Sequence, residues 1–491
     1  MKNILAAALL AIVLILTARA AAPPSPVAVP SNFFGISVFS ASSYPLGGGI
    51  VVGTEGKVGG ITITGIEPTC DGGTSPSNAC YKWATMDAWV SRAQANGWTL
   101  VYDWDNLPYW MCGNAVGVRC TVLPTSLSYI SNVATAMATR YKGQIKYYET
   151  ENEINYSTNW SDTCANLVLL HNTIRTAIKA VDSSPLVGAP NMGIASSLST
   201  GSCSNSPTRG GGAREWIFMQ NFLQTRDSGG HLPTVDSVGE HFYSRNNAIP
   251  LNSVTSAVAS PSSNLYVYNN FRSVMTAAGI PTSAPLLSTE ASFGRASGIT
   301  LSASDQVAFI GRFLVTFAST WSDGGGILPS WYAYDINFGT LNGSNGMNPL
   351  NAAAYGQMES WLTGATFSSQ CAPGTPSTVI VCPYTTASGQ NAEIIFNNNA
   401  GANAVFTVPS WATFAQPLQG SNTAISNGVV TVNNTPILLS EGGSFSTNPN
   451  SLAFGAVLDL TTSAGQTVAT IVNPLANFLS SRPQWPARDW R

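Results

Sequence analysis

Charged residues are scarce in this chain of 491 residues: Asp, Glu, Lys and Arg together make up 9% of it, against about 25% in an average soluble domain. The net charge is −3 and the chain contains no long basic run. The electrostatic footprint of a nucleic-acid-binding protein is therefore missing, and we expect no nucleic-acid partner. Apolar residues make up 44% of the chain, which is enough for a sizeable core.

Histidine is nearly as rare, with only His171, His231 and His241. A zinc site needs His, Cys or carboxylate side chains at ligand spacing, and the sequence shows neither such a cluster nor a Cys-x-x-Cys pair. The Gly-x-Ser-x-Gly elbow of many esterases is also missing, which argues against a serine esterase. We expect no metal and no other cofactor.

The N-terminus has the pattern of a secretory signal peptide over residues 1–20. Lys2 precedes an apolar run, Ile4–Thr17, and Ala18–Ala20 follows the small-x-small cleavage pattern. This run is shorter than a typical membrane span, although an uncleaved anchor is the alternative. We expect a secreted, extracellular monomer with no membrane contact after cleavage, and a Pro-rich leader over residues 21–32.

The eight cysteines are even in number and follow an export signal, so disulfides are expected. Many connectivities are possible, and sequence order suggests four local pairs. The suggested pairs are Cys70 with Cys80, Cys112 with Cys120, Cys164 with Cys203, and Cys371 with Cys382.

Residues 33–363 alternate between β-rich runs and amphipathic helical patterns, which predicts an α/β domain with a parallel sheet. Eight such units are the number found in a (β/α)8 TIM barrel. A doubly wound open sheet is the alternative, disfavoured because no Gly-rich phosphate turn follows the first strand. The predicted strands are Phe33–Val38, Ile61–Ile66, Thr99–Trp104, Ile145–Glu151, Leu186–Ala189, Ser237–His241, Pro285–Thr289 and Ser330–Tyr334. Helices are predicted over Met86–Ala95, Tyr129–Tyr141, Leu167–Val181 and Ser304–Thr320.

The pattern changes after residue 363, where helical periodicity fades and short β-rich runs are separated by Gly, Asn and Ser. Residues 364–445 therefore predict a small antiparallel β-sandwich domain. Its predicted strands are Ser377–Cys382, Ala392–Phe396, Ala404–Val408, Val429–Val432 and Pro436–Leu439. We interpret residues 446–491 as a truncated module and a tail.

The segment Glu149–Asn155 holds Glu149, Glu151 and Glu153 at alternate positions. In a regular strand these three side chains would share one face, and burying three charges side by side would be very costly. The strand is therefore expected to end here, with Glu153 at the barrel mouth, where active sites of this fold lie. A buried structural role is favoured for Glu149, and the role of Glu151 stays open.

Asn152-Glu153 at the end of the fourth predicted strand resembles the Asn-Glu signature of the clan A glycoside hydrolases, most closely family 39. The Thr289-Glu290 pair ending the seventh strand resembles the clan's nucleophile position, and His241-Phe242-Tyr243 resembles its His-x-Tyr. Ser446–Val472 resembles the start of a bacterial immunoglobulin-like repeat.

The resemblance implies a retaining glycosidase with Glu153 as general acid/base and Glu290 as nucleophile. The substrate-binding residues that it implies are Asn152, His241, Tyr243, Trp331, Trp110 and Asn155.

Glycoside cleavage by a retaining enzyme needs one protonated carboxyl group to protonate the leaving oxygen and one ionised carboxylate to attack the anomeric carbon. We expect a polysaccharide or oligosaccharide of the plant cell wall with β-linkages as substrate, xylan first and β-glucan second. The alternative is a non-catalytic carbohydrate-binding protein on the same fold, although both carboxylates are present.

Overall fold

The computed structural model describes residues 25–37, 50–53, 61–193, 203, 215–243, 245–246, 249–250, 261–293, 301–332, 350–399 and 402–442. The predicted signal peptide and the immunoglobulin-like segment both lie outside the described residues. Among the described helices, none combines the length and apolar character that crossing a lipid bilayer requires.

The N-terminal part is built from parallel strands covered by helices, as the alternating pattern predicts. The first ten strands are β1 (Gly35–Ile36), β2 (Ile50–Gly53), β3 (Thr99–Asp103), β4 (Ile145–Glu149), β5 (Leu186–Gly188), β6 (Val238–Gly239), β7 (Arg245–Asn246), β8 (Ile249–Pro250), β9 (Leu286–Ala291) and β10 (Ile327–Trp331). One parallel sheet has the order β2-β3-β4-β5 and a second has the order β1-β10-β9-β6, while β7 and β8 form an antiparallel hairpin. Backbone hydrogen bonds join residues next to β5 and β6, from Ala189 N to the Ser237 carbonyl and from Asp236 N to the Val187 carbonyl.

Helices follow most of these strands and pack on them. They are α1 (Ile63–Ile66), α2 (Ala84–Ala95), α3 (Leu127–Arg140), α4 (Cys164–Val181), α5 (Glu215–Gln224), α6 (Pro261–Ala277), α7 (Ala303–Ser319) and α8 (Asn351–Leu362). Side-chain caps start several of them: the Thr163 hydroxyl accepts from Asn166 N at the start of α4, and Ser302 does the same for Asp305 N at α7. Such caps satisfy backbone N–H groups that the first helical turn leaves without partners.

The predicted second strand is wrong. Ile61–Ile66 alternates β-branched residues with polar ones, but Ile63–Ile66 forms a short helix, because the Thr62 hydroxyl accepts from Gly65 N and caps it. The strand that pairs with β3 is β2, Ile50–Gly53. A local cap and the pairing available in the tertiary structure outweighed strand propensity here.

The C-terminal part is antiparallel β-structure, as predicted. Its strands are β11 (Thr366–Phe367), β12 (Ala372–Pro373), β13 (Val379–Thr385), β14 (Asn391–Asn397), β15 (Ala404–Thr407), β16 (Phe414–Pro417), β17 (Thr423–Ala424), β18 (Val429–Val432) and β19 (Ile437–Ser440). Strands β15 and β18 form a two-stranded sheet, and the other seven form one larger sheet. This sheet packs against α7 at Gly311, where a Cβ atom would lie 2.7 Å from Leu418 and 2.8 Å from Pro436. The residues of α7 from Gln306 to Ser319 are all buried, so this helix is covered on both sides.

All four suggested cysteine pairs are formed, and each closes a local loop. The disulfides join Cys70 to Cys80, Cys112 to Cys120, Cys164 to Cys203, and Cys371 to Cys382. The second of them closes the loop that carries Arg119, a residue next to the candidate site.

Candidate active site

Glu153 lies four residues beyond the end of β4, where the chain turns sharply. Its φ angle is 45°, in the left-handed region, which costs a residue other than glycine about 1–2 kcal/mol. The Glu153 amide donates to Asn191 Oδ1 at 2.7 Å. Its side chain is 21% exposed, so the carboxyl group is only partly covered.

Glu290 lies within β9 near its C-terminal end and is 4% exposed. The Tyr243 hydroxyl donates a short hydrogen bond to Glu290 Oε2. The other oxygen, Oε1, is buried and has no hydrogen-bond partner among the described residues. A carboxylate that accepts a hydrogen bond at one oxygen and none at the other is suited to attack an electrophilic carbon through the second oxygen.

The fold brings Glu153 and Glu290 together although their strands are not adjacent in the chain. His241 stands with them, and one atom from each of the three side chains lies within 4.8 Å of the other two. Nδ1 of His241 lies 2.9 Å from Glu153 Oε1 and 3.8 Å from Glu290 Oε2. One oxygen of each carboxyl group therefore lies close enough to the other for both groups to reach a single glycosidic bond.

His241 is fully buried between these two carboxyl groups. Burial lowers its pKa, but the charges of Glu290 and Glu153 outweigh burial and raise the pKa of His241 to about 9. Nε2 of the ring lies 3.1 Å from Thr289 Oγ1, which donates to Glu149 Oε2 at 2.7 Å. A charged ring donates from both nitrogens, to Thr289 through Nε2 and to Glu153 through Nδ1.

The charge on the His241 ring also affects whether this cluster of side chains can bind a metal ion. Two carboxylates and one imidazole resemble a ligand set, but a metal ligand must be a neutral imidazole. His241, Glu153 and Glu290 satisfy one another by direct contact, with Nδ1 of the ring on Glu153 at hydrogen-bond distance. A metal ion would have to displace the ring proton and this Nδ1–Glu153 contact before these side chains could bind it.

A second layer of buried polar groups lies behind this pair. Asn191 donates its side-chain amide to Asp103 Oδ2 at 3.0 Å and to Glu149 Oε2 at 2.9 Å. Asp103 and Glu149 are partners in the β3–β4 register. Burial, followed by the neighbouring charge of Glu149, raises the pKa of Asp103 well above its usual range, and burial raises the pKa of Glu149. Glu149 is thus the buried, hydrogen-bonded carboxyl group that its sequence position favoured.

Glu151 is also buried and pairs with Arg119, whose Nη2 lies 3.0 Å from Glu151 Oε1 and 2.7 Å from Asp105 Oδ1. Burial raises the pKa of Glu151 to about 8, although the Arg119 charge opposes this shift. The other terminal nitrogen of Arg119 donates to Asn159 Oδ1 at 3.1 Å. Glu151, whose role was open from sequence, is a buried carboxyl group that accepts a hydrogen bond from Arg119 on the β4 side of the site.

Two of the other predicted site residues lie beside Glu153. Asn152 is 1% exposed and immediately precedes it, and the Asn152 carbonyl accepts from Asn159 Nδ2 at 3.2 Å. Asn155 exchanges two hydrogen bonds of 2.8 Å with the backbone of Gly193. The Asn155 amide is thus engaged with the backbone, which favours a structural role over the predicted substrate contact.

The two predicted tryptophans differ in their surroundings. Trp110 is half-buried, donates its ring N–H to the Glu67 carbonyl and packs edge-on against Tyr129. Trp331 is 1% exposed, with its ring centroid 5.5 Å from that of Phe293 and 5.6 Å from that of Phe313. This packing favours a core role for Trp331 over the predicted sugar contact.

Four residues next to the site were missed from the sequence: Asp103, Arg119, Asn191 and Thr289. Thr289 could have been noticed as the neighbour of Glu290 on an apolar strand. Asn191 follows β5 as Glu153 follows β4, so a polar residue just past a strand end was the available signal. Arg119 lies in a disulfide-closed loop that carries no recognisable pattern.

Comparisons with known proteins bear on the fold of the chain. No protein-family model and no curated protein matches the chain. Solved structures do match: a family 39 glycoside hydrolase from Bacteroides cellulosilyticus has a TM-score of 0.54 at 14% identity, over 80% of this chain and 75% of that one. A family 44 xyloglucanase from Paenibacillus polymyxa has a TM-score of 0.54 at 13% identity, over 85% and 98%. The family 51 arabinofuranosidase from Xanthomonas axonopodis has a TM-score of 0.52 at 11% identity, over 85% and 97%.

Identities this low show the fold alone. The chain is similar in fold to the clan A glycoside hydrolases, as the resemblance of Asn152-Glu153 and Glu290 implied.

Proposed function

We propose that this chain is a retaining glycoside hydrolase whose general acid/base is Glu153 and whose nucleophile is Glu290. The observation that carries this proposal is the meeting of two carboxyl groups from β9 and the end of β4 within 4.8 Å. The orphaned Glu290 Oε1 supports the assignment of the nucleophile.

The proposed reaction proceeds by double displacement. With substrate bound, Glu153 is in its protonated form. Glu290 Oε1 attacks the anomeric carbon, the bond from that carbon to the leaving oxygen breaks, and Glu153 donates its proton to that oxygen, which forms a covalent glycosyl-enzyme. Glu153, now ionised, removes a proton from water, and the water displaces Glu290. Tyr243 and the imidazolium of His241 stabilise the anionic form of Glu290 between turnovers.

We assign the sugar contacts to residues around this pair. Asn152 is proposed to bind the 2-hydroxyl of the sugar, a contact that strengthens in the transition state. Trp110, half-buried beyond β3, offers an aromatic face to a sugar ring.

We further propose that the parallel strands close into a (β/α)8 barrel. Strands β1 and β2 lie in contact at one side, and hydrogen bonds join the β5 and β6 ends at the other. Closure explains why β4 and β9 can face each other across one opening. Secretion is supported by the four disulfides, which persist in oxidising compartments.

The proposed substrate class is β-linked plant cell-wall glycan, with xylan ahead of β-glucan. Among the solved structures of similar fold are the Paenibacillus xyloglucanase and a bifunctional glucanase-xylanase from a metagenome library. These titles describe the neighbours, and the substrate of this chain is decided by assay.

The test is a screen of aryl β-glycosides and polysaccharides with the parent, Glu153→Gln and Glu290→Gln. On polysaccharides and on phenyl glycosides, whose leaving groups need a proton, we expect both variants to lose at least about 1,000-fold in turnover, because each removes a group that bonds to reacting atoms. The first product detected by NMR should keep the β configuration, and a 2-deoxy-2-fluoro glycoside should label Glu290. An inverted first product, or an undiminished rate in either variant, contradicts the proposal.

A further inference from the structure

Glu153 has an unusual backbone for the residue that we assign as acid/base. Its left-handed φ is shared by only two other residues besides glycine in the described part of the chain. We propose that Asn191 and Asn159 clamp the Glu153 backbone in this conformation and thereby aim its carboxyl group at the leaving oxygen. The inference rests on the proposed function, and both asparagines are positioning residues.

The first arm of the clamp is Asn191, just beyond β5. Its Oδ1 accepts the Glu153 N–H at 2.7 Å, while its Nδ2 donates to Asp103 and Glu149. Asn191 is fully buried, and so are both carboxyl groups. The Asn191 oxygen therefore faces a donor and the Asn191 NH2 group faces acceptors, and all of these groups are buried.

The second arm is Asn159, on the other side of the turn. Its Nδ2 donates to the carbonyls of Asn152 and Glu153, each at 3.2 Å, while its Oδ1 accepts from Arg119. The two asparagines thus hold the N–H and the carbonyl of the same residue.

Groups that can only donate set the direction of each amide. The Glu153 N–H requires the Asn191 oxygen, and the Arg119 guanidinium requires the Asn159 oxygen. If the Asn191 amide turned over, its NH2 would face the Glu153 N–H and its oxygen would face two carboxyl groups. Turning Asn159 over would set NH2 against the Arg119 guanidinium. Both reversals leave buried polar groups unpaired, which is costly.

Loss of the clamp has a geometric consequence. A relaxed residue moves to φ near −63°, a rotation of roughly 110° from the observed 45°. Such a rotation swings the carboxyl group away from His241 Nδ1, which now holds it at 2.9 Å. Glu290 and its donor Tyr243 lie on other elements, so we expect the defect to be specific to proton donation.

Comparing substrates with different leaving groups isolates proton donation from the other steps of the reaction. A phenyl glycoside needs protonation as it departs, whereas 2,4-dinitrophenolate leaves without it. The experiment measures kcat/KM for both aryl β-glycosides of the sugar preferred in the screen, with Asn191→Ala and Asn159→Ala. We expect a fall of about 100-fold on the phenyl glycoside and less than about 5-fold on the dinitrophenyl glycoside.

The matched control is Asn172→Ala. Like Asn159, Asn172 is half-buried, and like Asn191, it donates its amide to a carboxyl group, Asp227 Oδ2 at 2.9 Å, but it lies on α4 away from the turn. Its ratio of the two rates should equal that of the parent.

Glu153→Gln is measured in parallel to separate the two proposals. If Glu153→Gln shows no dependence on the leaving group, the proposed function fails. The clamp alone is overturned if Glu153→Gln depends on the leaving group but the two asparagine variants do not. In that case Asn191→Ala and Asn159→Ala would lose activity equally on both glycosides, or on neither. Should Asn191→Ala not fold, Asn159→Ala decides the matter, because Asn159 is only half-buried and its truncation leaves less of a void.

Discussion

The charge on His241 gives the sharpest quantitative prediction from this structure. Its Nδ1 lies 3.8 Å from Glu290 Oε2. Two unit charges at that distance attract by about 4 kcal/mol at an effective dielectric constant near 20, which is about a thousandfold in a protonation equilibrium. We therefore expect Glu290→Gln to leave His241 mostly neutral at pH 7.5, whereas the raised pKa of about 9 keeps it charged in the parent.

The assay is NMR titration of the chain with 15N-labelled histidine between pH 5 and pH 10. Only three histidines contribute signals, and each can be assigned by substitution. His171 provides an internal control, because burial lowers its pKa to about 4 and it lies away from Glu290. It should remain neutral in the parent and in the variant alike.

Two results would refute this reasoning. One is a neutral His241 at pH 7.5 in the parent, which would mean that burial outweighs the two carboxylates. The other is an unchanged titration in Glu290→Gln, which would mean that Glu290 carries no charge to lose. Either result would remove His241 as the cation that holds Glu290 ionised.

Other perturbations should have separate effects. Because its pKa is raised from 6.5 to about 9, His241 contributes on the order of 3 kcal/mol to stability below pH 6.5, lost as the pH rises through 9. The difference in urea-unfolding free energy between the parent and His241→Gln should shrink by about that amount from pH 6 to pH 10; parallel curves would contradict it. Tyr243→Phe removes the donor to Glu290 and should lower kcat/KM for an aryl glycoside by about 10- to 100-fold; an unchanged rate would exclude that role. Gly193→Ala places a Cβ 2.7 Å from Glu153 Oε1 and should cost about 100-fold in kcat/KM; full activity would show that Glu153 tolerates the shift.

Sequence patterns located the groups that carry the proposed chemistry. The apolar run of β9 leads to Glu290, and alternate carboxylates mark the end of β4 before Glu153, so local periodicity places both at strand ends. Their selection as an acid/base and a nucleophile came from the resemblance to the clan A motifs. The cysteine order was equally informative, since all four local pairs are formed. These features depend on a few neighbouring residues, which is why they can be inferred without coordinates.

The second strand could not be predicted from the sequence, because its position does not depend on neighbouring residues alone. Ile61–Ile66 and Ile50–Gly53 are both short and rich in β-branched residues, and strand propensity cannot choose between such segments. The choice depends on which segment pairs with β3, an interaction between residues about 50 positions apart in the chain.

By itself, the sequence determined the strand-and-helix alternation, the change to an antiparallel sheet and the two carboxyl groups at strand ends. Only the tertiary structure decided that those groups meet, that His241 stands between them, and that Asn191 and Asn159 hold the Glu153 backbone. The physical reason is that hydrophobic periodicity is a local property of the chain. Charge pairing and amide orientation depend on the register of strands that are distant in sequence.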